Sequence, residues 1–176
     1  PVVMTPGYEA DDMIGSMATQ WKGEGKEIFM VTPDKDYGQL IDENVFQYKP
    51  AKGGNDIEII GKKEICDHYG ICNPEQVIDI LTIWGDASDN IPGIRGIGEV
   101  GAKKLIGKYG SLDSLLEHAS ELSAKQQQAV EQSREQIGMS RFLVTIKRDI
   151  PLPVTLDQIK LQPFDYRQIF EIFNKS

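Results

Sequence analysis

At 176 residues, with 40% hydrophobic and 26% charged side chains, the chain has the make-up of an ordinary globular protein, with room for one core and a small appendage. A formal net charge of −8 excludes a uniformly basic nucleic-acid binder, and no apolar run approaches the ~20 residues needed to cross a bilayer. Cys66 and Cys72 lack metal-ligand spacing and are too few for a disulfide framework, and the start lacks the pattern of a signal peptide, so the expectation is reduced thiols, a cytoplasmic location and no membrane partner.

The chain opens without an initiator methionine, which predicts a fragment of a larger domain. Residues 9–21 carry Ala10, Ile14, Met17, Ala18 and Trp21 at helical spacing, predicting a helix with those side chains on its buried face and Gly23 and Gly25 ending it. Residues 27–32 read as a buried strand, 33–36 as a turn, and 37–41 as the start of a short helix. Two further strands are expected over 45–48 and 57–60, around a turn at Gly53-Gly54-Asn55-Asp56, followed by helices over 61–69 and 74–84. From Asn90 the texture changes to glycine-rich turns and short helical pieces. A long helix interrupted near Gly138 is expected over 126–146, then an extended passage at Pro151 and Pro153, then a short amphipathic helix over 164–174. The alternation of strands and helices predicts an α/β layer, in which ligands gather beyond the carboxyl ends of strands.

Three acidic groups fall at such element boundaries: Glu9, Asp11 and Asp12; Asp34 and Asp36; Asp86 and Asp89. Each taken alone has a plain structural reading as a helix cap, a first-turn acid or a turn residue. Together they suggest one shared site. Clustered carboxylates repel unless a cation neutralises them, and an all-oxygen donor set points to Mg²⁺ or Mn²⁺ and to phosphoryl transfer with two ions. His68 and His118 are isolated and supply no zinc set.

The stretch Gly85-Asp-Ala-Ser-Asp-Asn-Ile-Pro-Gly-Ile-Arg-Gly-Ile-Gly98 also carries the Gly96-x-Gly98-x-x-Gly101 spacing of a dinucleotide site. That motif needs a strand directly before it, and turn residues with a proline stand there instead. The alternative is a hairpin whose outward N–H groups at a helix N-terminus cradle a nucleic-acid phosphate, with Arg95, Lys103, Lys104 and Lys108 adding charge. Such contacts carry no base information, so binding is expected to be sequence-independent and salt-sensitive. A solvated lysine face on a structural hairpin is the plainer reading.

Gly7-Tyr-Glu-Ala-Asp-Asp-Met-Ile-Gly15, Thr32-Pro-Asp-Lys-Asp36 with Gln39-Leu40, and the 85–98 stretch closely resemble the 5′-to-3′ exonuclease domain of bacterial DNA polymerase I, in the flap endonuclease family. The likeness continues through Gly101-Ala-Lys-Lys-Leu105, Tyr109-Gly-Ser-Leu112 and Thr145-Ile-Lys-Arg-Asp149. It implies a partial doubly wound, PIN-like sheet with helices over 1–84, an all-α helix-three-turn-helix DNA-binding subdomain over 85–125, and C-terminal helices over 126–176 packing back on the core. It also implies a metal-dependent nuclease acting on double-stranded DNA with a 5′ flap or nick and on primer RNA, with a polymerase domain following and a nucleoid-associated setting in the cytoplasm. By position, Glu9, Asp11 and Asp34 resemble ligands of one ion and Asp36, Asp86 and Asp89 those of the other, with Asp12 a weaker candidate; Asp34, Asp36, Asp86 and Asp89 are the expected catalytic acids. Arg95, Gly96, Gly98, Gly101, Lys103, Lys104 and Lys108 take the DNA-contact positions, and the carbonyls of Pro92, Ile94 and Ile97 those that hold K⁺. The family pattern includes an earlier segment with further aspartates and a basic arch, so this chain alone is expected to have little activity. The rival readings are a non-enzymatic DNA-binding module in which the acids are structural, and a four-acid ribonuclease that needs no hairpin.

Overall fold

The computed structural model describes residues 2–23, 25–51, 56–163 and 165–174. The expected turn at Gly53-Gly54-Asn55 lies outside them. Helix α1 (Ala10–Lys22) leads into strand β1 (Ile28–Val31), a 3₁₀ segment (Lys35–Leu40), strands β2 (Val45–Pro50) and β3 (Ile57–Ile60), and helices α2 (Lys62–Tyr69) and α3 (Gln76–Trp84). Then come α4 (Glu99–Tyr109), α5 (Leu112–Glu117), the 21-residue α6 (Ala124–Val144) and α7 (Tyr166–Phe173).

The sheet runs β1-β2-β3, with β1 parallel to β2 and β2 antiparallel to β3. The register places Met30, Gln47 and Ile60 in one row, and all three are buried. Phe29 pairs with Phe46 on the opposite face, their rings stacked at 5.3 Å, and Phe29, Val31 and Ile59 stay exposed there. The expectation of a fully buried first strand is therefore corrected. Period-2 alternation sends every second side chain of β1 to a face that the helices do not cover.

The buried face of α1 also differs from the expected one. Met13, Gly15, Ser16 and Ala18 are buried, whereas Ala10 is exposed and Ile14, Met17 and Trp21 are only partly covered. The reason is a strap, residues 146–150, that crosses α1 from the far end of the sequence. Ser16 Oγ donates to the Lys147 carbonyl and accepts from the Ile150 N–H, and a β-carbon on Gly15 would lie 2.6 Å from Ile146 Cγ2. Gln39, 1% exposed, holds the strap from below: its amide donates to the Val144 carbonyl at 2.9 Å and accepts from the Ile146 N–H at 3.0 Å.

Helix α3 is the spine of the core. Its Val77, Ile80, Leu81 and Ile83 are fully buried, each contributing about 1.5–3 kcal/mol. It packs against α4, α6 and the 3₁₀ segment, so sheet and helical region share one hydrophobic cluster. Arg141 of α6 ties α3 to α5, bonding Asp79 at 2.8 Å and gripping both oxygens of Asp113 at 3.0 Å. Gly138 does not interrupt α6. Ile137 and Ser140 on either side are buried, and that packing outweighs the glycine's ~1 kcal/mol helix penalty. Tyr166, Phe170, Ile172 and Phe173 of α7 face solvent.

Candidate metal centre and nucleic-acid interface

The loop after β1 is set by a buried polar side chain. Gln47 points inward from β2 and donates to the carbonyls of Thr32 at 3.0 Å and Asp34 at 2.6 Å. Asp34 caps the 3₁₀ segment, accepting from the Asp36 N–H at 3.0 Å, which aims the Asp36 carboxylate toward the end of α3. Beyond α3, Gly85 turns the chain with φ +79°, and Asp86 and Ile91 exchange two backbone hydrogen bonds of 2.9 and 2.7 Å. The small loop between them carries Asp89, and Asn90 at φ 56° closes it.

These two loops bring carboxylate oxygens of Asp36, Asp86 and Asp89 within 4.8 Å of one another. Asp36 is 9% and Asp86 5% exposed. Asp36 Oδ1 is buried without a hydrogen bond; its nearest cation is Lys35 Nζ, at 3.4 Å. Lys35 also bonds Asp86 Oδ2, while Asp86 Oδ1 accepts from the Ser88 N–H at 2.7 Å. Burial pushes the Asp36 carboxyl up to about 6; Lys35 opposes this, and the Asp34 and Asp86 charges add to it. Burial acts the same way on Asp86, but the Lys35 and Ser88 hydrogen bonds outweigh it and hold that group below the usual carboxylate range.

The acids of α1 lie across the same cleft, of about 470 Å³, which Glu9, Asp11, Asp12, Asp36 and Asp89 line on one side and the 142–147 segment on the other. Asp11 Oδ1 accepts from the Tyr37 hydroxyl at 2.7 Å. Burial, the Asp11 bond and the charges of Asp11, Asp34 and Asp36 raise that phenol above its ordinary value, so Tyr37 sits among three of the candidate acids. Asp12 is engaged at both oxygens, by the Glu9 N–H at 3.4 Å and the Lys147 N–H at 2.9 Å, and fastens the strap to the start of α1. Among the described residues, Glu9, Asp11, Asp12 and Asp34 do not join a trio like that of Asp36, Asp86 and Asp89. A larger open groove, about 800 Å³, lies between α3 and α6 away from these acids, and its buried Asp79 is already paired with Arg141.

Two lysines at the cleft were absent from the sequence-derived candidates. Lys35 stands between Asp34 and Asp36 in sequence, and Lys147 belongs to the 146–150 strap. Lys147 Nζ lies 5.6 Å from the centre of the Tyr8 ring, and no carboxylate among the described residues comes within ion-pair distance of it. Gln47 was missed too, although a polar residue at an inward strand position is itself a signal.

The element before the glycine stretch is α3, not a strand, which removes the dinucleotide reading. The hairpin is anchored by Ile94 and Ile97, both buried, leaving Arg95, Gly96 and Gly98 outward. Gly96 has φ +81°, and a β-carbon on Gly96 or Gly98 would meet nothing within 4 Å, so both leave open space before the N-terminus of α4. Gly101 is a packing glycine, its β-carbon position 2.9 Å from Ile97 Cγ2. The Pro92 carbonyl accepts from Ser140 Oγ at 2.7 Å and the Ile94 carbonyl from the Ile97 N–H at 3.0 Å. Lys104 points to solvent; Lys103 is drawn in toward Glu99 at 2.6 Å and lies 4.5 Å over the Tyr69 ring; Lys108 pairs with Glu121 at 3.5 Å.

Residues 1–70 match the family model described as 5′-3′ exonuclease, N-terminal resolvase-like domain, and residues 72–167 match 5′-3′ exonuclease, C-terminal SAM fold. DNA polymerase I of Mycobacterium bovis is 37% identical over 173 residues, 98% of this chain and 19% of that protein. DNA polymerase I of Bacillus subtilis is 37% identical over 167 residues, 94% of this chain and 19% of that one. The chain thus spans about a fifth of the length of the curated relatives it matches. Among solved structures, the T5 D15 protein co-crystallised with metal ions superposes with a TM-score of 0.69 at 23% identity, covering 82% of this chain and 52% of that one. A complex of the T5 D15 flap endonuclease with DNA and metal ions gives 0.67 at 22% identity, covering 80% of this chain and 50% of that one. At these identities the structures speak for the fold.

Proposed function

This chain belongs to the 5′-3′ exonuclease family, and from that premise we propose that it forms part of a metal-dependent nuclease that hydrolyses phosphodiesters at 5′ ends and flaps of duplex DNA. One observation carries the reading: Asp36, Asp86 and Asp89 bring carboxylate oxygens within 4.8 Å of one another, and Asp36 Oδ1 is buried with no hydrogen bond and only the Lys35 ammonium, at 3.4 Å, beside it. An orphaned oxygen among hard donors fits a divalent cation, Mg²⁺ or Mn²⁺. Asp36, Asp86 and Asp89 would hold one ion; Glu9, Asp11 and Asp34, which do not form such a trio among the described residues, are the ligands the resemblance implies for the other. Bound there, such ions supply Lewis-acid polarisation of the phosphodiester and a more acidic water.

The rest is done by the chain itself. Gln47 and the Asp34 cap fix where Asp36 points, the Asp86–Ile91 bridge fixes Asp86 and Asp89, and Tyr37 orients Asp11. Lys147 meets a backbone phosphate entering the cleft. On the helical side, the 92–98 hairpin and the first turn of α4 take a duplex phosphate, with Arg95 and Lys104 as its cations, and the Pro92 and Ile94 carbonyls each keep a lone pair for K⁺. Primer RNA as a second substrate, a polymerase portion in the same protein and a nucleoid setting in the cytoplasm complete the reading.

The test is cleavage of a 5′-flap duplex by the protein expressed from the full open reading frame. Asp86→Asn is expected to abolish cleavage with flap binding retained. Undiminished cleavage would contradict the reading. If wild-type protein binds flaps without cutting them in Mg²⁺ or Mn²⁺, the non-enzymatic binding module takes its place.

A further inference from the structure

Lys35 reaches back from the loop that carries Asp34 and Asp36, its ammonium 5.6 Å from the centre of the Trp84 ring. Its Nζ bonds Asp86 Oδ2 and stands 3.4 Å from Asp36 Oδ1, the buried oxygen without a hydrogen bond. Both carboxylates belong to the trio that brings one oxygen from each residue within 4.8 Å of the others. A Mg²⁺ shared by Asp36 and Asp86 would sit ~2.1 Å from an oxygen of each, in the space between the two carboxylates. The ammonium already fills that space. A monovalent and a divalent cation a few ångströms apart in a half-buried setting repel strongly, so both cannot keep these positions.

Resting on the metal-centre reading above, we propose that Lys35 is a displaceable internal counter-ion: its ammonium holds the Asp36–Asp86–Asp89 trio together without metal and gives up its place when a divalent cation binds. The side chain has somewhere to go. It also lines a small cavity of about 100 Å³ on the β2–α2 side of the loop, with Lys49, Glu58, Glu64 and His68 around it; Glu58 pairs there with Lys49 at 3.7 Å and Glu64 accepts from the Gly61 N–H at 3.0 Å, each through one oxygen, which leaves the other to receive the ammonium. Lys35 is thus a positioning residue that sets metal affinity: it keeps the apo site ordered and weakens the competing ion by the free energy of its own displacement.

The experiment is calorimetric titration of Mn²⁺ into this chain, comparing wild type, Lys35→Met, and Lys125→Met, at an exposed position of α6, as a control of equal charge change. Lys35→Met is expected to bind Mn²⁺ about tenfold more tightly than wild type, within the usual span of coupling between two ligands. Its apo melting temperature falls and its Mn²⁺-induced rise grows; Lys125→Met stays near wild type in all three. An unchanged or weakened affinity in Lys35→Met, or an equal gain in Lys125→Met, overturns the proposal. NMR of the lysine Nζ groups in wild type gives a second reading that needs no variant: the Lys35 signal must shift as Mg²⁺ saturates, and a fixed signal also overturns it. If neither wild type nor Lys35→Met binds Mn²⁺, the metal-centre reading falls and takes this one with it; binding indifferent to Lys35 defeats this one alone.

Discussion

The backbones of Gly85 and Gly93 touch. A β-carbon on Gly85 would lie 2.4 Å from the Gly93 nitrogen, and one on Gly93 would lie 2.6 Å from the Gly85 nitrogen and 2.3 Å from the Trp84 carbonyl oxygen. This contact closes the neck of the loop that carries Asp86 and Asp89, joining the candidate metal centre to the hairpin. The obstructing atoms are backbone, so no side chain can move aside. Gly93→Ala should cost at least the ~1–3 kcal/mol of an overpacked site and should weaken Mn²⁺ binding along with stability, as read by melting and calorimetry. A variant that melts and binds like wild type would show that the neck is not what holds the loop.

Asp12 and Asp36 are expected to behave differently. Both Asp12 oxygens serve backbone N–H groups, whereas Asp36 keeps a buried oxygen with no hydrogen bond. Asp12→Asn should lose about 1 kcal/mol of stability with a small change in Mn²⁺ affinity, the loss of a fold-making hydrogen bond. Asp36→Asn should lower Mn²⁺ affinity at least tenfold and leave the apo protein as stable or more so, since it removes a carboxylate whose ionisation burial opposes. Equal losses of affinity would return Asp12 to the ligand set.

Much of this layout is legible in the sequence, and the limits have physical causes. Helix and strand order follow from periodicity, and the acids stand at element ends where turn chemistry marks them. The buried face of α1 is not legible, because a strap from residues 146–150 covers it and local spacing carries no trace of that partner. Gln39 and Gln47 escape for the same reason: each positions a distant backbone through its amide, leaving no periodic pattern. Gly138 misleads because helix propensity is a local preference that packing overrides. Lys35 reads as an ordinary turn lysine until the fold brings Asp86 to it.

The hairpin lysines should separate by their surroundings. Lys104 is exposed and Arg95 projects from the hairpin, whereas Lys103 is bound to Glu99 and lies on Tyr69. Lys104→Ala and Arg95→Ala should each weaken duplex binding equally across sequences and lower the salt slope by about 1. Lys103→Ala should change the slope less and the melting temperature more. Fluorescence anisotropy over a salt series checks this, and a larger slope change for Lys103→Ala would reverse the assignment.

Burial pushes the Tyr69 phenol up to about 12, with Glu99 adding to the shift. Its unfolded value is ~10, so the folded state keeps the proton more tightly. The corresponding stability is complete below pH ~10 and is lost as the pH rises from there toward 12, up to roughly 2–3 kcal/mol. Melting curves between pH 9 and 12 should fall less steeply for Tyr69→Phe, and parallel curves would mean that Tyr69 titrates as a solvated phenol.

On the proposed reading, separated loops bring Asp36, Asp86 and Asp89 together to hold a divalent ion. Crystals of this chain grown with Mn²⁺ and measured at the manganese absorption edge test it directly. An anomalous peak is expected between the carboxylates of Asp36 and Asp86, within coordination distance of both, with Lys35 Nζ moved away. Manganese bound elsewhere, with these three acids bare and Lys35 still on Asp86, would contradict it.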